Sequence, residues 1–238
     1  MKNNFSTVII PAFNEGANIK RTIESLVLLY GAKLDVIVVV DFKDDSTIAT
    51  FNEIDNKPDT YRIEVQTYTS GPANAIRYGI GSARTECVAV MMADGSDDVK
   101  TLEEICTLVG RGAAVACASR YMSGGQQIGG PRFKKFLSRI VGQILYSFAG
   151  VGTHDPTNSF KAYSRSFLDC VEIESRSGFE VGIELVSKAH RLNLIIAEVP
   201  TVWLDRTEGG SRFRLIKWAP KYLPWFFNCF AKKKTVHV

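Results

Sequence analysis

Residues 7–41 read TVIIPAFNEGANIKRTIESLVLLYGAKLDVIVVVD, and this stretch decides the fold. Thr7–Ile10 is a short β-branched run stopped by Pro11, which reads as a strand. From Ala17 to Leu29 the apolar residues Ile19, Ile23, Leu26, Val27 and Leu29 fall at helical spacing, with Asn14 or Asn18 available as cap. Asp35–Val40 is apolar at almost every position, as strands buried on both faces are. Outward from this β-α-β unit the pattern repeats. Ile63–Tyr68 predicts a third strand, Gly71–Arg84 a helix of small residues and Cys87–Met92 a fourth strand. Leu102–Val109 follows as a helix and Ala113–Ser119 as a fifth strand. The alternation predicts an α/β fold, a Rossmann-like, mainly parallel sheet flanked by helices.

The second half is less regular. Gly124–Gly130 is a glycine-rich loop, expected to be mobile. Arg132–Ala149 reads as a helix with Phe133, Phe136, Ile140 and Phe148 among the residues of one broad apolar face. Phe160–Tyr163 predicts a short strand, Phe179–His190 a helix and Leu194–Val199 a strand. No internal repeat occurs, and no linker precedes about residue 208.

Composition excludes several classes. The 238 residues are 45% hydrophobic and 23% charged, an ordinary globular balance. The net charge of +4 is unevenly placed. Residues 209–238 hold seven basic and no acidic residues, leaving residues 1–208 with 22 basic against 25 acidic. A mildly acidic body argues against nucleic-acid binding, which spreads positive charge over a folded face. Five scattered cysteines without a CxxC predict neither a disulfide framework nor a zinc site, and fit a reduced, cytoplasmic setting. The N-terminus has no signal-peptide pattern, and no apolar run approaches the roughly 20 residues a spanning helix needs.

In parallel α/β sheets, ligands bind beyond the carboxyl ends of the strands. Pro11–Glu15 follows the first strand, Asp41 ends the second and Asp94 follows the fourth, so three polar strand ends converge on one expected site. No GxGxxG or GxxxxGK[ST] is present, which disfavours dinucleotide and P-loop chemistry.

The ordered set of segments resembles family 2 glycosyltransferases of GT-A fold, and within them the polyprenyl-phosphate sugar transferases of dolichyl-phosphate mannosyltransferase type. The resemblance rests on Val8–Glu15, Val38–Asp41, Gly71–Gly79, Met92-Ala93-Asp94 and Ala118–Tyr121 with Gly124-Gly125. It continues through Asp155–Tyr163 and from Glu198-Val-Pro200 by Asp205-Arg206 to Gly210-Ser-Arg212. Two segments depart from the family. Asp41-Phe-Lys-Asp-Asp-Ser-Thr47 is one residue short, with Phe42 in an acidic place, and Met92 replaces the first acid of the metal-binding Asp-x-Asp.

The resemblance implies an inverting transfer from a nucleotide-sugar donor. Pro11, Phe13, Glu15, Asp41, Ala93 and Asp94 would line the donor pocket, Glu15 and Asp41 reading base and ribose. Helix capping is the competing role for Glu15, and the core for Phe13. Departure of a diphosphate requires neutralisation by a divalent cation or by basic side chains. Asp94 with Ser96 would hold Mg²⁺ or Mn²⁺; alternatively Asp94, Asp97 and Asp98 form a solvated acidic turn. Arg120, Lys161, Arg206 and Arg212 are the expected phosphate-binding cations. Asp155, Glu180 and Glu184 are the acids available as a general base, needed only if the acceptor is a hydroxyl.

The basic tail, residues 209–238, carries Trp218, Tyr222, Trp225, Phe226, Phe227 and Phe230, with Pro220 and Pro224 breaking it into short helices. It reads as a segment of the membrane interface, on the cytoplasmic face, or as a surface packing on the domain or on a membrane-anchored or homo-oligomeric partner. The expected acceptor is a polyprenyl phosphate. A surface or lipopolysaccharide glycan, or loss of catalysis with retained donor binding, are the alternatives.

Overall fold

The computed structural model describes residues 6–176, 178–205 and 215–233. The opening stretch forms β1 (Ser6–Pro11), α1 (Gly16–Tyr30) and β2 (Leu34–Val40), with β1 and β2 parallel and Val8 opposite Val36. Alternation along β1 sends Val8 and Ile10 into one core with Ile19, Ile23 and Leu26 of α1. Ile9 enters a second core on the other face of the sheet. Both faces are covered, so the strand must be apolar throughout.

The chain continues through α2 (Ser46–Asn52), β3 (Tyr61–Val65), α3 (Pro72–Ser82), β4 (Cys87–Val90), α4 (Thr101–Gly110) and β5 (Val115–Ser119). Then come β6 (Gln126–Ile128), α5 (Arg132–Ile144) ending in a π turn over Leu145–Ala149, β7 (Lys161–Ser164) and α6 (Arg165–Asp169). The described chain closes with α7 (Val181–Arg191), β8 (Ile196–Pro200), β9 (Val202–Leu204) and α8 (Leu215–Asn228). The central sheet has the order β3-β2-β1-β4-β7-β5-β8. Among these strands β7 alone is antiparallel to its neighbours. The mainly parallel α/β sheet expected from the alternation is therefore present.

Three local expectations change. The third strand lies at Tyr61–Val65, earlier than the apolar run suggested. Tyr61 is buried and its hydroxyl donates to the Gly31 carbonyl at 3.1 Å, drawing the register toward the start of the strand. Helix α2 forms because Asp45 caps it, accepting the Thr47 N–H at 2.8 Å. The glycine-rich loop contains β6, which pairs in parallel with β9. Any side chain at Gly125 would overlap the Ser119 carbonyl, so glycine lets this segment lie directly on the end of β5.

The tail is corrected too. Pro220 and Pro224 sit inside one 14-residue helix, α8, instead of dividing it. Tertiary packing offsets the lost backbone hydrogen bonds. Tyr222, Trp225 and Phe226 pack on the second core and Cys229 is buried there. Asn228 bridges to α7, accepting from Arg191 Nη1 at 2.8 Å and donating to Ser187 Oγ at 2.6 Å.

Helix α3 seats on β1 through Gly79, where a Cβ would overlap Ile9 Cγ2. Gly79→Ala is expected to lower stability by about 1–3 kcal/mol, because Ile9 is fully buried and cannot retreat. Gly81→Ala on the same helix meets no atom within 4 Å and is expected to be neutral or mildly stabilising. Thermal melts of the two variants check the pair.

Candidate functional site

At the carboxyl ends of β1, β2, β4 and β5 lies one cavity of about 880 Å³. Its floor comes from the strand ends, and its far wall from α5 and α8. Of the residues expected from sequence, Pro11, Phe13, Glu15, Asp41, Asp94, Ser96 and Arg120 line it. Ala93 does not. It is buried in the first core, and its carbonyl accepts the Thr22 hydroxyl at 3.0 Å. Arg206 and Arg212 lie outside the described residues.

The end near β1 and β2 suits a nucleoside. Asp41 accepts from Gln66 Nε2, from Ser70 Oγ at 2.5 Å and from the Gly71 N–H at 3.0 Å. These bonds fix the carboxylate where β2 meets the cavity. Glu15 stands at the N-cap of α1 yet makes no capping bond, so the capping role expected as its alternative is absent. Its carboxylate instead accepts from Asn18 Nδ2 at 3.1 Å while lining the cavity. Phe13 is exposed to the cavity, outside the core, and meets Phe42 edge-on at 6.3 Å between centroids. Phe42, the departure from the family's acid, therefore supplies an aromatic neighbour. Asp45, which sequence reasoning passed over, accepts the Asn14 N–H at 3.0 Å and so ties the loop after β2 to the loop after β1. Asn14 has φ +49°, and the short Asx signal at Asp45 was its visible trace.

The centre of the cavity is the turn after β4. Met92, Asp94 and Ser96 face it. Asp94 Oδ1 accepts the Ser96 N–H at 3.1 Å. Asp97 turns inward, accepting the Met92 N–H at 2.9 Å. Burial pushes its carboxyl up to about 7, helped by the nearby Asp94. The three acids of this segment are thus not one solvated turn. Among the described residues no cluster of three His, Cys, Asp or Glu side chains could hold a metal alone.

Arg120 is the organising cation. Its Nε and Nη2 donate to the two oxygens of Asp155 at 2.7 and 2.9 Å, and its own N–H donates to Oδ2 at 3.1 Å. Burial alone would lower the guanidinium pKa, but Asp155 outweighs it and raises it. Burial likewise pushes Asp155 up, and Arg120 then holds it below the ordinary carboxylate value. The pair leaves Nη1 as the guanidinium edge with no hydrogen bond to a described residue, on a side chain that reaches the cavity. Lys161, expected as a second phosphate-binding cation, is corrected: it is fully buried, does not line the cavity, and donates to the Asn158 carbonyl. Burial lowers its pKa. Its place at the start of the antiparallel β7 carries it beneath the floor.

Among the described residues the cavity's other cations are Lys134 of α5 and Lys221 of α8, neither singled out in the sequence as a site residue. Their charges carry no local motif; only the approach of the two helices brings them to the strand ends. None of the three acids considered as a base lines the cavity. Asp155 is held by Arg120. Glu184 is buried and accepts from Ser175 N–H at 2.8 Å and Lys188 Nζ at 2.7 Å. Glu180 is buried and accepts the Gly178 N–H at 3.1 Å. Asp205, at the end of β9, is the cavity carboxylate on the helical side, its Oδ2 accepting the Gly130 N–H at 3.1 Å.

The model of the family described as glycosyl transferase family 2 matches residues 7–172. The chain is 30% identical over 218 residues to a polyprenol monophosphomannose synthase of Mycolicibacterium smegmatis, covering 86% of this chain and 79% of that one. It is 26% identical over 232 residues to a dolichol-phosphate mannosyltransferase of Pyrococcus furiosus, with 89% of this chain aligned and 64% of the relative's length spanned. The fold matches the crystal structure of glucosyl-3-phosphoglycerate synthase from Mycobacterium tuberculosis at TM-score 0.69 and 19% identity, over 96% of this chain and 81% of that one. The same enzyme crystallised with Mn²⁺, UDP-glucose and phosphoglyceric acid matches at TM-score 0.67 and 19% identity, over 94% and 79% of the two chains.

Proposed function

The chain belongs to glycosyl transferase family 2, and from that premise we propose that it transfers a sugar from a nucleotide-sugar donor to a polyprenyl-phosphate acceptor at a membrane surface. One observation carries the proposal. A single cavity joins a polar end, with Glu15 and Asp41, to an end walled by Leu137, Val141, Leu223 and Phe226 and carrying Arg120, Lys134 and Lys221. A lipid phosphate presents to such an end an apolar chain and an anion. The names of the mannosyl-transferring relatives support the same acceptor class.

The reaction then needs no general base. A phosphate oxygen of the acceptor attacks the anomeric carbon, the bond to the donor diphosphate breaks, and the diphosphate leaves with the electron pair, inverting the centre. No proton moves, which agrees with the commitment of Asp155 and Glu184 to structural bonds. Arg120, held by Asp155 and lining the cavity, would stabilise the developing charge; preorganised donors of this kind need no rearrangement as charge builds. Arg206 and Arg212 would complete the cationic set. The division into a transferase body, 1–208, and a C-terminal segment, 209–238, belongs to this reading.

A divalent cation fits the residues present in a limited way. Asp94 is one carboxylate facing the cavity, with Ser96 beside it and Met92 in place of a second acid. Mg²⁺ takes one or two carboxylates together with phosphate oxygens, so the donor diphosphate would complete the coordination. Mg²⁺ or Mn²⁺ bound there would neutralise leaving-group charge.

The test is incubation with radiolabelled nucleotide sugars and a short polyprenyl phosphate in detergent. The expected product is a lipid whose label mild acid releases. Labelling of a glycan hydroxyl with the lipid phosphate ignored would overturn the acceptor. The glycan reading is favoured only by Asp205, the carboxylate on the acceptor side. Asp205→Asn separates the two, since a hydroxyl acceptor would lose about 10²–10⁴ in rate without its base. A phosphate acceptor would lose little.

A further inference from the structure

The two-stranded ribbon of β6 and β9 stands outside the central sheet, yet it is stitched to the middle of the cavity. The Leu204 N–H donates to the Ser96 carbonyl at 2.9 Å, and a bridge pairs Trp203 with Asp97. Strand β9 therefore lies along the turn after β4, the turn that carries Asp94. Within the ribbon Gln127 stands opposite Trp203. Register partners on neighbouring strands point to the same face, and both of these side chains line the cavity. Their chain neighbours Ile128 and Leu204 alternate to the other face and are exposed.

Both side chains are held in place. Tyr121 donates its hydroxyl to Gln127 Oε1 at 2.9 Å, which leaves the amide Nε2 without a hydrogen bond to a described residue. Arg120 Cζ lies over the Tyr121 ring, 4.9 Å from its centroid, so the amide is tied to the organising cation through one aromatic ring. Gly130 backs the pair. A Cβ at this position would meet Gln127 Nε2 at 3.2 Å and Trp203 Cζ3 at 3.4 Å. Asp205 Oδ2 fixes that glycine by accepting its N–H at 3.1 Å.

We infer that Gln127 and Trp203 form the subsite for the sugar ring of the donor, a hexopyranosyl group; this rests on the nucleotide-sugar reading of the cavity. A sugar is joined to its diphosphate through a single oxygen. A diphosphate at Asp94 and Ser96 therefore places the ring beside the strand stitched to that turn. A pyranose offers an apolar C–H face and a rim of hydroxyls. The indole matches the first and the free amide N–H the second. Neither residue is charged, which suits a neutral ring, while the anions on either side of it fall to Arg120 and the lysines. An aromatic wall with one or two placed polar groups is the usual way a pocket fixes a small ligand's orientation.

The experiment is calorimetric titration of the full chain, in Mn²⁺, with a panel of UDP- and GDP-linked hexoses and with UDP and GDP alone. Trp203→Ala is expected to weaken the sugar nucleotide that wild type binds by roughly tenfold. Gln127→Ala is expected to weaken it by about fivefold. Both variants are expected to bind the matching diphosphate as wild type does, which also verifies their folding. Trp203→Phe, which keeps an aromatic face, is expected to recover most of the loss. Ile128→Ser, on the other face of β6, is expected to bind both ligands as wild type does. Equal weakening of both ligands by the two alanine variants, or weakening of neither, overturns the inference and leaves the donor reading standing. Wild type that binds no sugar nucleotide of the panel overturns the donor reading and the inference with it.

Discussion

Replacing Asp155 by alanine is expected to remove both folding stability and transfer activity. The carboxylate is fully buried and accepts five hydrogen bonds: three from Arg120, one from Thr157 Oγ1 at 3.2 Å and one from the Asn158 N–H at 3.2 Å. Removing one partner of a buried pair leaves the other charge uncompensated, a loss of about 3–5 kcal/mol. In a chain of this size that lowers Tm by roughly 10 °C. Arg120→Ala is expected to cost a similar amount, and the double variant less than the sum, because the second change removes the stranded charge. The pH dependence has a definite sign. Arg120 holds the folded carboxyl below its unfolded value, so the stabilisation is present above about pH 4. It is lost as pH falls through the lower folded value. Denaturant melts of the two single variants and the double variant check the coupling. Additive losses would show that the pair is not a unit.

Asp94→Asn is expected to behave oppositely, sparing the fold and removing the chemistry. Asp94 is only half-buried, so Tm should move little. Transfer should fall by about 10²–10³, the scale of losing one preorganised charge-stabilising group. Because Asp94 is the one carboxylate of the turn after β4 that lines the cavity, Mn²⁺ alone should leave the melting temperature of wild type unchanged, whereas Mn²⁺ with a nucleoside diphosphate should raise it. Met92→Asp is expected to permit a shift by Mn²⁺ alone. An Asp94→Asn variant with full activity would assign the diphosphate to Arg120 and the lysines.

The two kinds of expectation about the site fared differently for a physical reason. Pro11, Glu15, Asp41 and Asp94 were legible because each sits within a few residues of a buried strand, and parallel topology gathers such ends. Lys161 was not legible. Its charge type suited a phosphate, but β7 runs antiparallel and carries it below the cavity floor. Lys134 and Lys221 reach the cavity from helices far along the chain, and no spacing rule couples them to the strands. The prolines of α8 misled because a local rule about helix breaking was outweighed by packing of Tyr222, Trp225 and Phe226.

By itself the sequence determined the sheet and the location of the site at its carboxyl edge. Apolar strands buried on both faces can satisfy themselves in few other ways, and their period is a local property of the chain. Only the tertiary structure decided which charges face the cavity, and which apolar face of α5 stays outside. Both depend on how distant elements meet: Gly142 lets α5 lie against the His154 backbone with no room for a side chain between them, and that contact turns Lys134 inward and Phe136 out.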